Sequence, residues 1–317
     1  MAKTTKKLRV LGDALRVRET PSFDGKIVSK LYKDDIVDYN QTSENNEWIN
    51  ISKGSIAGWS YYKYLSEIQN TESNKLFEEI FDAVSKSSIT NYFWKDRGRA
   101  NIGFYKGMAL VFARVYCKLT AGDPSAKEMA KANTGNMGKD ALAYYSDKMN
   151  EAGLINETEG VDTLRHLFVL MIGLAMRESS GRYCVGRDMS AQNTKSETAE
   201  AGLFQTSYNA ITASPRLQLL FDNYKSKPDG FVEIFKEGYN NCSAADWDNY
   251  GTGEGKRFQQ LSKECPAFSA EFAGVALRSI RKHWGPINNK HVEVRPECNL
   301  MLLKVQHIID INKILEI

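Results

Sequence analysis

These 317 residues contain neither a long apolar run nor a cluster of metal-binding side chains. The longest unbroken apolar stretch, LFVLMIGLAM at 167–176, is too short to span a bilayer and leads straight into Arg177 and Glu178. The basic start MAKTTKKLRV is followed by no apolar segment, so no secretory signal is expected. The cysteines, Cys117, Cys184, Cys242, Cys265 and Cys298, form no CxxC pair. His166, His283, His291 and His307 stand without ligand company, so neither a metal nor another cofactor is expected. A formal charge of +3 is too mild for a nucleic-acid binder and at most favours an anionic surface slightly. There is no nucleophile elbow to suggest a Ser–His or Cys–His hydrolase, and no internal repeat or low-complexity tract.

What is present is an ordinary globular composition, 42% hydrophobic and 26% charged, in a chain long enough for two domains. Residues 1–65 read as strands. LRVL (8–11), ALRVRE (14–19), KIVSKLY (26–32), DIVDYN (35–40), EWINIS (47–52) and AGWSYY (57–62) are separated by turn residues such as Pro21, Gly25, Asn45-Asn46 and Gly54, as in a small β-barrel. The polar stretch 66–75 reads as a linker. From Leu76 to Ile317 the apolar period changes to 3.6, predicting helices over 76–86, 103–119, 139–153, 161–179, 270–283 and 299–314. The fold class is therefore α+β and multidomain, a β-barrel followed by an all-α domain. Four of the five cysteines follow residue 180, which fits either one or two disulfides or a set of buried thiols; Cys117, on a helical pattern, reads as a core thiol.

Glu178 is the residue that points to chemistry. Leu164, Leu167, Phe168, Met171, Leu174, Ala175 and Glu178 succeed one another by three or four, so they share one face of the 161–179 helix. An acid that extends a buried stripe at a helix C-terminus is costly to ionise, because burial and the helix dipole both disfavour the anion. A raised carboxyl pKa is what a general acid needs.

Two resemblances follow from quoted residues. LRVRETPSFDGKIVSKLYKDD (15–35), EWINI (47–51) and AGWSYYKYL (57–65) resemble the bacterial SH3-like domain, which implies a small barrel that binds cell wall, with Trp48, Trp59, Tyr61 and Tyr62 as groove candidates. RESSGRY (177–183) followed by AEAGLFQTS (199–207) resembles the signature of the lytic transglycosylase and goose-type lysozyme superfamily. That resemblance implies a lysozyme-like domain in which Glu178 is the catalytic acid and Ser179 its neighbour at the cleft wall. Gly202, Leu203, Phe204 and Gln205 would form the edge that contacts saccharide. Tyr250, in the Gly-rich stretch WDNYGTGEGKRFQQ (247–260), would stand on a loop opposite the acid.

The implied substrate is peptidoglycan, cut at the β-1,4 bond between N-acetylmuramic acid and N-acetylglucosamine. A lytic transglycosylase needs only the one acid, whereas a hydrolytic lysozyme or chitinase needs a second carboxylate. Here the segment 184–200 is longer than in most transglycosylases, and Ser207 stands where goose-type lysozymes carry an acid. Asp188 is the first candidate for the second carboxylate, with Glu197 and Glu200 behind it. Without a secretory signal, such an enzyme is expected to reach the wall as a delivered antibacterial effector or a phage-type endolysin. A secretion machine or an immunity protein would then be a further partner. The competing expectation is a non-catalytic wall-binding protein.

Overall fold

Leu8 and Val10 point inward while Lys7 and Arg9 face solvent, the alternation of a strand with one buried face. The computed structural model describes residues 7–68, 71–187, 195–239, 241–314 and 316–317. Its chain divides after Leu76 into two units.

The first unit contains β1 (Lys7–Val10), β2 (Leu15–Arg18), β3 (Ile27–Leu31), β4 (Ile36–Thr42), β5 (Trp48–Lys53), β6 (Ile56–Tyr61) and β7 (Leu65–Ile68). All pairings are antiparallel, in the order β3-β2-β6-β5-β4-β1-β7. β3 and β7 are the two edges, so the sheet is open rather than a closed barrel. Register shifts at Val17/Arg18 and Tyr39/Gln41 bend it. Leu8, Val10, Leu15, Val17, Leu31, Val37, Ile49, Ile51 and Leu65 form its core. The stretch expected as a linker is partly structured: Leu65–Ile68 pairs with β1, and a helix starts at Thr71.

The second unit is mostly helical. It follows α1 (Thr71–Ser85) with α2 (Ile102–Thr120), α3 (Pro124–Ala130), α4 (Ala141–Tyr144), α5 (Ser146–Glu151) and α6 (Val161–Ser179). Then come α7 (Pro215–Ser226), α8 (Val232–Phe235), α9 (Ala244–Trp247), α10 (Gly253–Glu264), α11 (Pro266–Leu277), α12 (Gly285–Asn288) and α13 (Pro296–Asn312). The helix expected over 139–153 is two short pieces that meet at Tyr145.

α6 is the axis of this unit. It packs against α2, α3, α11 and α13, and residues from Thr163 to Met176 are buried on every side, not along one stripe. Even Arg165 and His166 are enclosed. Arg165 donates to Asn299 and Gln306, and His166 Nδ1 lies 2.9 Å from Asn156 Oδ1. Burial lowers the His166 pKa to about 4, so the ring is neutral in the core. A helix this enclosed is a rigid support for whatever stands at its end.

Candidate active site

α6 ends in a left-handed cap. Ser180 is left-handed, with φ 55°, and its N–H reaches the Met176 carbonyl, while the Gly181 N–H reaches the Ala175 carbonyl. Glu178 lies in this last turn, half-buried, between the partly exposed Arg177 and the buried Ser179. Its carboxyl pKa is pushed up to about 8, first by burial and then by the negative charge of Glu200; Arg97 and Arg177 oppose the shift. A carboxyl that keeps its proton at neutral pH can donate it.

The AGLFQT segment (201–206) is a tight hairpin closed by the Ala201–Thr206 bridge, with the Ala201 N–H donating to the Thr206 carbonyl at 3.0 Å. It lies against the end of α6. Ser179 Oγ donates to the Leu203 carbonyl at 2.8 Å and also lies 3.0 Å from the Ala175 carbonyl. Trp284 Nε1 donates to the Phe204 carbonyl at 2.8 Å. Two side chains from two other segments therefore occupy two successive carbonyls of the turn. A turn whose polar backbone is satisfied in this way can be buried at little cost.

The hairpin residues expected to meet saccharide are used for support. Leu203 and Phe204 are fully buried. Gln205 donates its amide to the Gly202 carbonyl at 2.9 Å and the Val185 carbonyl at 3.3 Å, so that group is already engaged. Gly202 has φ +76°, and a Cβ there would stand 2.5 Å from the Ser262 carbonyl of α10. Its lack of a side chain admits a neighbouring helix. Ser179 is likewise buried and holds the hairpin instead of facing outward. Two non-glycine residues, Ser180 at the end of α6 and Gln205 in the hairpin (φ 46°), adopt the left-handed conformation. Each costs about 1–2 kcal/mol, strain of a kind that collects at functional sites.

Beyond Gly181 the chain is held again. Cys184 and Cys242 form a disulfide, whereas Cys117, Cys265 and Cys298 are buried thiols. Lys263, fully buried on α10, donates to the carbonyls of Asp246 and Asp248 at 2.6 and 2.7 Å, and burial lowers its pKa to about 8. Tyr250 stands in the loop between α9 and α10. Its N–H donates to Gln259 Oε1 at 2.8 Å, and its ring stacks 4.2 Å beneath the Arg187 guanidinium. The stretch expected as a Gly-rich loop is thus a short loop that leads into a helix. Asp188 lies outside the described residues. Glu197 is exposed in a 3-10 turn, and Glu200 is half-buried beside the hairpin.

Sequence reasoning missed Arg97, whose guanidinium donates to the Arg177 carbonyl at 2.5 Å, and the hairpin anchor Trp284. Arg177 in turn donates to the Lys95 carbonyl at 2.9 Å, so the turn 94–98 braces the end of α6. These contacts span about eighty positions, and no local pattern marks them. A cavity of about 690 Å³ opens beside Arg177, between Lys95, Lys290 and Arg295; Glu178 and Glu200 are not among its lining residues.

In the first unit, Phe23, Trp48, Tyr61 and Tyr64 line a groove of about 390 Å³ together with Asp13 and Arg16. The Phe23 ring is 5.0 Å from those of Trp48 and Tyr61, and it is 63% exposed. Trp48 and Tyr61 were expected here, whereas Trp59 and Tyr62 do not line the groove and Phe23 and Tyr64 do.

No protein-family model matches this chain, and no curated protein matches it. Among the described residues, no group of three His, Cys, Asp or Glu side chains is placed to hold a metal, and no helix is long and apolar enough to cross a membrane.

Proposed function

We propose that this protein cleaves peptidoglycan glycan strands at the β-1,4 bond between N-acetylmuramic acid and N-acetylglucosamine, with Glu178 as general acid. The observation that carries this reading is a half-buried carboxyl with its pKa near 8, held at the end of a rigid core helix against a strained, buttressed hairpin. Glu178 gives its proton to the glycosidic oxygen as the bond to the anomeric carbon breaks, and the bonding pair leaves with that oxygen. In the transglycosylase route the 6-hydroxyl of the same sugar then attacks the anomeric carbon and returns a proton to Glu178. In the hydrolytic route water attacks instead.

On this reading the second unit is a lysozyme-like (lytic transglycosylase-like) domain, and the first is an SH3-like wall-binding module. The aromatic groove supports the second assignment, since exposed rings stack on sugar or peptide. Tethering the two raises the local concentration of substrate. The protein acts on the wall as a delivered antibacterial effector or an endolysin. The test is incubation with purified sacculi, followed by chromatography and mass spectrometry of the soluble fraction. Muropeptides are expected. Their absence, with binding intact, would leave a wall-binding protein without activity.

A further inference from the structure

The cavity of about 690 Å³ beside Arg177 takes no part in the chemistry assigned to Glu178, yet it has the size of a small-ligand site. It forms where the irregular segment 291–295 crosses α6 at Gly173. A Cβ at Gly173 would collide with the Glu293 carbonyl, so only a glycine lets the segment lie this close. Arg177 is one helical turn further along the same face and lines the cavity beside that segment. The walls are tied together. The Glu293 carboxylate accepts from the Tyr92 hydroxyl at 2.6 Å and from the Lys95 N–H at 3.0 Å. Lys148 on α5 donates to the Lys290 carbonyl at 2.6 Å, and the Val292 N–H donates to the Tyr145 hydroxyl at 3.2 Å.

The lining carries charges that the fold does not use. Two cations are already neutralised, Lys290 by Asp147 at 2.6 Å and Arg295 by Glu297 at 2.8 Å. Three others are not. Among the described residues the exposed Lys95 ammonium has no partner, and Lys148 meets a carbonyl and the Tyr145 ring but no carboxylate. Arg177 meets no carboxylate nearer than Asp96 at 3.7 Å, and its buried Nε has no acceptor. Beside them Glu151 is an exposed carboxylate with no partner among the same residues. A glycan backbone, whose N-acetyl and hydroxyl groups are neutral, has no use for such a lining. A ligand with several carboxylates and one ammonium does.

We propose that this cavity binds the stem peptide carried by the N-acetylmuramic acid residues of the strand. Its carboxylates meet Lys95, Lys148 and Arg177, and its free ammonium meets Glu151. The inference rests on the reading of the protein as one that cleaves peptidoglycan. Arg177 and Glu178 are successive and so about 100° apart around α6, which sets the cavity next to the acid. The 94–98 turn touches both places, with Lys95 in the cavity and Arg97 on the Arg177 carbonyl. A strand seated on Glu178 thus lays its peptide across Arg177.

The experiment is calorimetry of the full chain with the free tetrapeptide stem, released from sacculi by an amidase. Binding tighter than about 1 mM is expected, and it should weaken in high salt. Lys95→Glu and Glu151→Lys should each weaken it at least about tenfold, since each reverses one charge-assisted contact. Amidating the carboxylates of the peptide, or acetylating its amine, should do the same with wild-type protein, which keeps the test intact if a variant does not fold. No binding at about 1 mM overturns the proposal, as does an affinity that stays within about threefold through the reversals and the peptide modifications. A chain that releases muropeptides but does not bind the peptide loses this site and keeps Glu178. One that binds the peptide but releases no muropeptides keeps the site and loses Glu178 as the acid.

Discussion

Ser179 Oγ donates to the Leu203 carbonyl oxygen across 2.8 Å, and the residue before Ser179 is Glu178. One hydroxyl thus joins the last turn of α6 to the 201–206 hairpin. Ser179→Ala leaves the buried Leu203 carbonyl short of a donor, at a cost of about 1–3 kcal/mol. Urea unfolding should show that loss. The turnover of sacculi should fall more than the loss of folded protein explains, because the hairpin is released from the acid. An unchanged unfolding midpoint would show that the bond carries no weight.

Glu178 makes both stability and activity depend on pH. Its carboxyl titrates near 8 in the folded chain, against an ordinary value of 4.5. Between these limits the folded protein holds a proton that the unfolded chain has lost, so the Glu178 contribution to stability falls as pH rises from about 4.5 to about 8 and is level above. Glu178→Gln removes this penalty. At pH 8 the variant should be more stable than wild type by about 1–3 kcal/mol, a figure reduced from about 1.4 kcal/mol per pKa unit because solvent still reaches part of the group. At pH 4 the two should be equal. Melting curves across this range check the sign, and a variant less stable at pH 8 would contradict it. Wild-type turnover should decline above about pH 8 as the acid loses its proton.

The disulfide ties Cys184, six positions beyond the acid, to Cys242 across 58 residues of sequence. Closing a loop of that length in the unfolded chain is worth about 4 kcal/mol at most. Reduction, or Cys242→Ser, should lower the unfolding free energy obtained from urea titration by about 2–4 kcal/mol. The Lys263 clamp on Asp246 and Asp248 should keep the loop in place, so part of the activity should survive. A midpoint indifferent to dithiothreitol would show that the bridge adds no stability.

The groove of the first unit makes a separate prediction. Phe23 and Tyr64 are both exposed, and their removal costs the sheet little packing. Phe23→Ala with Tyr64→Ala should weaken co-sedimentation with sacculi about tenfold or more, since each ring carries on the order of 1 kcal/mol of contact. The melting temperature should stay within a few degrees. Binding equal to wild type would remove the groove from the account.

Much of this arrangement was legible in the chain. All six strand runs fall on observed strands, because alternation with a buried face is a local property of the sequence. The helix over 161–179 is found with the same limits, since Gly160 precedes it and a left-handed Ser180 ends it. β7 reads as linker because its four residues, LSEI, run straight into the polar stretch QNTESNK and are too few to show alternation. α7 and α10 were missed for a different reason. Their apolar faces are narrow, and α10 opens on Gly253 and Gly255, which read as a loop. Within the site Glu178 is legible from its conflict with its own helix. How AGLFQT is held is not legible, because it depends on contacts far apart in sequence, from Trp284 and Ser262.

The central claim is that Glu178 is the proton donor, and Glu178→Gln on purified sacculi tests it most directly. The substitution keeps the shape of the side chain and removes the transferable proton. The account predicts that the variant co-sediments with sacculi as wild type does and that its release of muropeptides falls by at least about 10²-fold. Release at the wild-type rate would contradict it.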